Sequence, residues 1–212
     1  MERYSEIYKH YEKQLFKYGA NYRGMDWPNS NDLDKRFTVM TGLFNNNKLK
    51  NPSVLDLGCG VGLYIDYLKR NNLFDKLLFT GIDISSKMIE TAKKIHPDEN
   101  FFVQDIIKKP LSTNSYDFII MNGVLTEKVS LSKIEMVEFA KKIILSAFNS
   151  SSVGIAFNVM SSYVDWERDD LFHWNMNDIV SYLLNNCSRH IKINMDYGLY
   201  EYTFYVYKNS NY

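Results

Sequence analysis

The stretch VLDLGCGVGLYIDYL, Val54 to Leu68, starts as an apolar strand and ends as an amphipathic helix. Gly58, Gly60 and Gly62 stand between the two, spaced by two residues. A helix that follows a strand offers unpaired N–H groups and the positive end of its dipole. Glycines at the junction permit positive φ and let a ligand lie against bare backbone. A dinucleotide turn of the G-x-G-x-x-G kind needs its third glycine at position 63, where this chain has Leu63. Asp56 precedes the first glycine, which makes the pattern D-x-G-x-G-x-G.

Outward from this turn, strands and helices alternate. SVLDLG, LLFTGIDIS, NFFVQDI, YDFIIMNG and SVGIAFNVM read as strands. Gly62–Lys69, SKMIETAKKIH (capped by Ser85 or Ser86), Lys133–Phe148 and NMNDIVSYLLNN (capped by Asn175 or Asn177) read as helices. The alternation and the continuous apolar strands predict a mostly parallel sheet with helices on both faces. HIKINM and LYEYTFYVYK instead alternate in period two across DYG and predict a C-terminal antiparallel hairpin. Before the sheet, residues 1–20 read as a helix with Tyr4, Tyr8, Tyr11 and Tyr18 along one side. A loop follows at 21–32, and then a helix over DLDKRFTVMTGLFNN with Asp32 as its cap. Residues 161–174 read as a second long loop.

The chain has 212 residues, 45% of them apolar, and 25 basic side chains balance 25 acidic ones. That composition suits a single globular domain, and the neutral balance disfavours nucleic acid, which calls for a basic face. Cys59 and Cys187 form no disulfide framework and no metal-ligand spacing. No apolar run nears the ~20 residues that span a bilayer. The N-terminus lacks an apolar signal region. A cytoplasmic protein with no membrane partner and no metal is expected.

Two more acids sit at predicted strand ends, Asp83 in GIDIS and Asp105 in VQDI. A carboxylate at the first position can accept both hydroxyls of a ribose. One at the second can accept from an adenine amino group while Ile106 covers the ring. With the glycine turn they put three polar anchors where an open α/β sheet binds its ligand.

From about Trp27 to Lys208 the chain resembles a class I S-adenosylmethionine-dependent methyltransferase. VLDLGCGVG resembles that family's first motif, GIDIS its acidic second, VQDI its third and YDFIIMNGVL its fourth. W-x8-RF, AFNVMSSYVDW and DYGLYEYTFYVYK resemble a bacterial subgroup acting on small molecules. The resemblance implies a Rossmann-like seven-stranded sheet over residues 51–212, with residues 1–50 as an N-terminal helical lid or cap. It implies S-adenosylmethionine as cofactor, S-adenosylhomocysteine as product, and a monomer or homodimer. By the same resemblance Gly58, Cys59 and Gly60 line the methionine part, Asp83 holds the ribose, and Asp56, Ile84 and Met88 belong to the same cofactor site. Asp105 and Ile106 then hold the adenine, Asn122 and Gly123 lie beside the sulfonium, and Trp27 flanks the site. Arg36 is the candidate partner of the methionyl carboxylate, since a guanidinium meets a carboxylate bidentately.

The methyl acceptor is expected to be a small molecule, a sugar, nucleotide-sugar or related metabolite, methylated on oxygen or nitrogen. Its pocket is assigned to the loops YRGMDW and NVMSSYVDWERDDLFHW, with His173, Asp165 and Tyr163 as candidate catalytic groups. The alternatives are a nucleic-acid or protein methyltransferase and a non-catalytic cofactor-binding subunit. MNGVL after the fourth strand lacks the Asn/Asp-Pro-Pro-aromatic element that base methylation of exocyclic amines uses, which counts against a nucleic-acid substrate.

Overall fold

The computed structural model describes residues 3–44 and 47–210. Two helices come first, α1 (Ser5–Tyr18) and α2 (Ser30–Thr41). The sheet-forming part then runs β1 (Ser53–Leu57), α3 (Leu63–Arg70), β2 (Leu78–Asp83), α4 (Ser86–Ile95), β3 (Phe101–Val103), β4 (Tyr116–Leu125) and α5 (Lys133–Ser150). It closes with β5 (Ser151–Ser161), β6 (His173–Trp174), α6 (Met176–Asn186), β7 (His190–Asn194) and β8 (Glu201–Tyr207).

Seven strands lie in the order β3-β2-β1-β4-β5-β8-β7, and the two-residue β6 pairs with β5 off that path. The β1–β2, β2–β3, β1–β4 and β4–β5 pairs are parallel, while β8 runs antiparallel to both β5 and β7. The sheet is thus Rossmann-like, mostly parallel, with the expected C-terminal hairpin. From β1 the chain builds outward to β3 on one side and then returns to lay β4 and β5 on the other. The reversal leaves a crevice between the carboxyl ends of β1 and β4, the place where open α/β sheets take their ligands.

Period-two alternation assigns each strand residue to one of two cores. Leu55 and Leu57 of β1 join a cluster with Ile7, Met136, Ala140, Ile179 and Leu183, so α1, α5 and α6 cover that face. Val54 joins Leu33, Phe37, Met40, Ile65, Leu68 and Ile89, so α2, α3 and α4 cover the other. Both faces of the parallel strands are dry, hence their unbroken apolar sequences.

Local chemistry sets the helix starts. Ser132 and Glu135 exchange bonds in a capping box at α5, and Ser85 caps α4 by accepting from the Met88 N–H. Asn175 caps α6. The cap of α2 is Asn29 and not Asp32: the Asn29 side chain accepts from the Asp32 N–H at 2.8 Å, so the helix starts two residues before the predicted DLDKRF stretch. The 161–174 loop likewise ends in strand structure, because His173 and Trp174 pair with Met160 and Ser161.

Charge is buried where α2 crosses the hairpin. Arg36, 7% exposed, donates from Nε to Glu201 Oε1 at 2.8 Å, and its Nη2 bonds the same oxygen. Glu201 Oε2 accepts from Asn158 Nδ2 at 2.7 Å, and Asn158 Oδ1 accepts from the Gly123 N–H at 2.8 Å. The chain of bonds thus runs from α2 through β8 and β5 to the end of β4. Removing one partner of a buried ion pair strands the other charge, so Glu201→Gln should cost about 3–5 kcal/mol in urea unfolding. Arg36→Met with Glu201→Gln should cost less than Glu201→Gln alone, and a double-variant loss equal to the sum of the two single losses would show that the pair is not coupled.

Candidate functional site

The turn after β1 is held in backbone conformations that only glycine adopts cheaply. Gly58, Gly60 and Gly62 have φ of +80°, +54° and +85°. A Cβ at Gly58 would stand 2.5 Å from the Val124 side chain, and one at Gly60 would stand 2.6 Å from Met25 Sδ. The N–H groups of Gly58 and Cys59 both reach Ile82 O, at 2.7 and 3.1 Å. Asp83 then ties the turn down, its carboxylate accepting from the Gly60 N–H at 3.0 Å and the Ser85 N–H at 2.8 Å.

A cavity opens directly over these groups. The end of β1 contributes Asp56, Gly58, Cys59 and Gly60, and the end of β2 contributes Asp83 and Ile84, with Met88 following on α4. Asp105 and Ile106 come from the segment after β3, Asn122 and Gly123 from β4, and Trp27 from the loop before α2. Trp27 lies so close to Gly123 (φ +78°) that a Cβ there would be 2.6 Å from the indole ring. All of the residues matched to the family's motifs at the strand ends therefore share one cavity.

Its polar wall consists mainly of acceptors. Asp56 is 4% exposed, and burial, with the Asp83 charge nearby, pushes its carboxyl up to about 8. Burial also raises Asp83, against the pull of its N–H donors from Ser85 and Gly60. Asn122 Oδ1 is buried with no hydrogen-bond partner. Three carboxylates and a free amide oxygen suit a cationic ligand rich in N–H and O–H donors. S-adenosylmethionine has that character, with an ammonium, a sulfonium, a ribose diol and an adenine amino group. The bare glycine backbone and the apolar walls fit its remaining surface.

The opposite wall is α1, whose Tyr4, Ile7, Tyr8 and Tyr11 face the cavity at helical spacing, while Tyr18 is exposed and does not line it. Polar contacts on both flanks strap this helix down. Tyr4 donates to Asp105 Oδ2 at 2.6 Å, Glu12 accepts from Ser85 Oγ at 2.7 Å and from Lys87 at 2.8 Å, and Glu6 bonds Ser130.

Four expected site residues lie elsewhere. Arg36 is committed to Glu201 and stacked 4.3 Å from the Trp27 ring, so it does not reach the cavity to meet a ligand carboxylate. His173 is 4% exposed in β6, its Nδ1 lies 2.6 Å from Ser161 O, and it does not line the cavity. The reason is the β5–β6 pairing, which turns an apparent loop histidine into a strand residue. Tyr163 is 63% exposed, and it and Asp165 lie on the outer loop, also away from the cavity. Sequence reading missed His10 with Asp26, whose Nε2 and Oδ2 are 2.6 Å apart. The only cue was indirect: the loop carrying Asp26 had been marked as pocket-forming, while His10 is one among several polar residues on a helix. Among the described residues no group of three or more His, Cys, Asp or Glu is placed to hold a metal ion. No helix there is long and apolar enough to cross a membrane.

Comparison with known proteins agrees with this geometry. Residues 55–134 match the family described as a methyltransferase domain. A relative from Mycobacterium tuberculosis named as a methyltransferase, Rv1506c, is 29% identical over 160 residues, 74% of this chain and 94% of its own length. Magnesium protoporphyrin IX methyltransferase from Synechocystis, solved with bound S-adenosylhomocysteine, has a TM-score of 0.64 at 17% identity, with 98% of each chain covered. Human N-acetylserotonin methyltransferase, solved with S-adenosylmethionine, has a TM-score of 0.66 at 15% identity, with 99% of this chain and 59% of that one covered. The chain thus has the fold of the class I S-adenosylmethionine-dependent methyltransferases, with a methyltransferase-domain match that begins within β1 and a strand-end cavity walled by acceptors.

Proposed function

We propose that the chain methylates a small molecule on oxygen or nitrogen, with the strand-end cavity holding the cofactor. One observation carries the assignment of sites: the groups at the ends of β1, β2 and β4 and the segment after β3 converge under the tyrosine face of α1. In this reading the ribose hydroxyls donate to Asp83, the adenine amino group to Asp105, and Ile106 and Met88 cover the ring. The methionine part lies on the Gly58–Gly60 backbone, its ammonium toward Asp56, and Asn122 with Gly123 flanks the sulfonium. The Met25 thioether now rests on Gly60 and swings aside, as a long unbranched side chain does at little cost. The Tyr4–Asp105 and Ser85–Glu12 bonds make residues 3–18 a lid over the bound cofactor.

Methyl transfer is an in-line displacement with little covalent work for the protein. Its contribution is alignment and exclusion of water, which a helix closing over an apolar cavity supplies. Bound S-adenosylmethionine supplies the electrophilic methyl group. A sugar, nucleotide-sugar or related metabolite is the favoured acceptor class: the chain carries no net charge at 25 acidic and 25 basic side chains, which suits no polyanion.

Asp83→Ala should weaken S-adenosylmethionine binding about 5- to 150-fold, the equivalent of roughly 1–3 kcal/mol from lost hydrogen bonds. Isothermal titration reads this directly, and unchanged affinity would remove Asp83 from the ribose site.

Asp56 gives a pH test. Its folded value of about 8 lies above the ordinary carboxylate range, so between about pH 5 and 7 the folded state holds a proton that the unfolded chain lacks. Stability therefore falls as pH rises through that window. Asp56→Asn should flatten the decline by up to about 1.4 kcal/mol per pH unit while weakening cofactor binding above pH 8. Chemical denaturation at four pH values checks the first part. An unaltered slope would mean that the carboxyl is already ionised in the free protein.

A further inference from the structure

Beside the proposed cofactor cavity lies a second group of titratable side chains, built from four separate segments. His10 of α1 meets Asp26 with Nε2 and Oδ2 at 2.6 Å, and Gln14, one turn on, donates to Asp26 Oδ1 at 3.0 Å. Glu127, just past β4, and Asp170, in the loop before β6, face the same histidine, and Asp170 is itself paired with Arg168. His10 and Asp26 do not themselves line the cavity, and the group borders it through their chain neighbours. Tyr11, whose ring is 5.5 Å from the His10 ring, lines the cavity, and so do Met25 and Trp27 on either side of Asp26.

Two features mark this pair as more than a surface contact. Asp26 holds φ +60°, a left-handed conformation that a side-chain-bearing residue adopts at a cost and that recurs where geometry serves a site. Its carboxylate is bonded from both sides by α1, so the proton of a neutral His10 is fixed on Nε2 and the lone pair is left on Nδ1. Nδ1 has no hydrogen-bond partner among the described residues, and the His10 side chain keeps 29% of its surface exposed. The other histidines offer no such base. His96 and His173 have Nε2 buried without a hydrogen-bond partner among the described residues, the former 3.7 Å from Asp66, and His190 sits on β7 at the edge of the sheet.

We propose that His10, oriented by Asp26, is the general base that takes the proton from a hydroxyl acceptor, which makes the enzyme an O-methyltransferase. This rests on the cavity being the cofactor site. The acceptor oxygen forms its bond to the methyl carbon as the carbon–sulfur bond breaks, and the electron pair stays on sulfur. The proton passes to His10 Nδ1, and Asp26 stabilises the resulting imidazolium. A free amine can lose its proton to solvent before attack, whereas an alcohol holds its proton far above neutral pH and needs a base in place. The hydrogen bond to Asp26 lifts His10 above its ordinary value in spite of burial, which strengthens it as a base near neutrality. The base rides on α1, so closing that helix over the cofactor also completes the catalytic group.

The test reads the position of His10 without needing the acceptor. The full chain, labelled at histidine with 15N and 13C, is titrated by NMR in its S-adenosylmethionine and S-adenosylhomocysteine complexes. The two ligands differ by one methyl group and one positive charge. A His10 facing the sulfonium should titrate lower in the first complex by roughly half a pH unit or more. Its neutral ring should carry the proton on Nε2, and Asp26→Asn should lower its titration in both complexes. Identical titration in the two complexes, or a neutral ring protonated on Nδ1, would overturn the assignment. Failure of both ligands to bind would instead remove the cofactor reading, and the base with it.

Discussion

A single buried carboxylate organises the carboxyl edge of this sheet. Asp83 accepts from the Gly60 N–H in the turn after β1 and from the Ser85 N–H at the cap of α4. Both donors belong to helix-entry segments whose amides have no partner within their own helix. By bonding to both, one side chain fixes the separation of two helix entries and hence the width of the crevice between them. The arrangement requires positive φ at Gly58, Gly60 and Gly62, so the glycine spacing and the acid after β2 are one constraint seen at two places in the chain.

The same edge shows what α1 contributes. Asp105 accepts from Tyr4, and Ser85, which caps α4, donates to Glu12. The helix is thus secured by the groups proposed to hold the adenosine end of the cofactor. A ligand amino group arriving at Asp105 shares the carboxylate with the Tyr4 hydroxyl, so the strap and the ligand are thermodynamically linked. Apolar contact from Ile7 to the core keeps α1 docked, while the polar contacts at its flanks sit near the surface, where each is worth little. A helix held this way opens at modest cost, as lids over such sites do.

The parts of the fold that were legible in the sequence are those governed by local rules. Period-two apolar runs, glycine spacing and Ser/Asn caps each report on a few consecutive residues, and strands, turn and most helix starts followed from them. Seven strands of the expected sheet are present, and the eighth, β6, is two residues long, too short to leave a periodic signal. That small strand is also why His173 was misread: its partner Ser161 lies twelve residues away, and no local pattern encodes the pairing. Arg36 lies off the cavity lining for a related reason. Helix position gave its neighbourhood correctly, but its partner Glu201 is 165 residues distant and claims the guanidinium first. The His10–Asp26 contact joins a helix to a loop sixteen residues on, and only the docking of α1 brings the two together.

The distribution of charge around the two neighbouring sites has one further consequence. Asp56, Asp83 and Asp105 line the cavity, and Glu127, pushed up to about 7 first by burial and then by Asp26 and Asp170, stands beside His10. Among the described residues no Lys or Arg lines the cavity, and the nearby Arg36 and Arg168 are paired with Glu201 and Asp170. Carboxyl groups in a low-dielectric cleft favour a cation. Once the methyl group has left, the sulfur is neutral, so in the proposed arrangement the attraction at the sulfur is lost while that at the ammonium remains. With the cofactor placed as proposed, the acidic wall would favour capture of the sulfonium and release of a product one positive charge poorer, an asymmetry that requires no movement of the sheet.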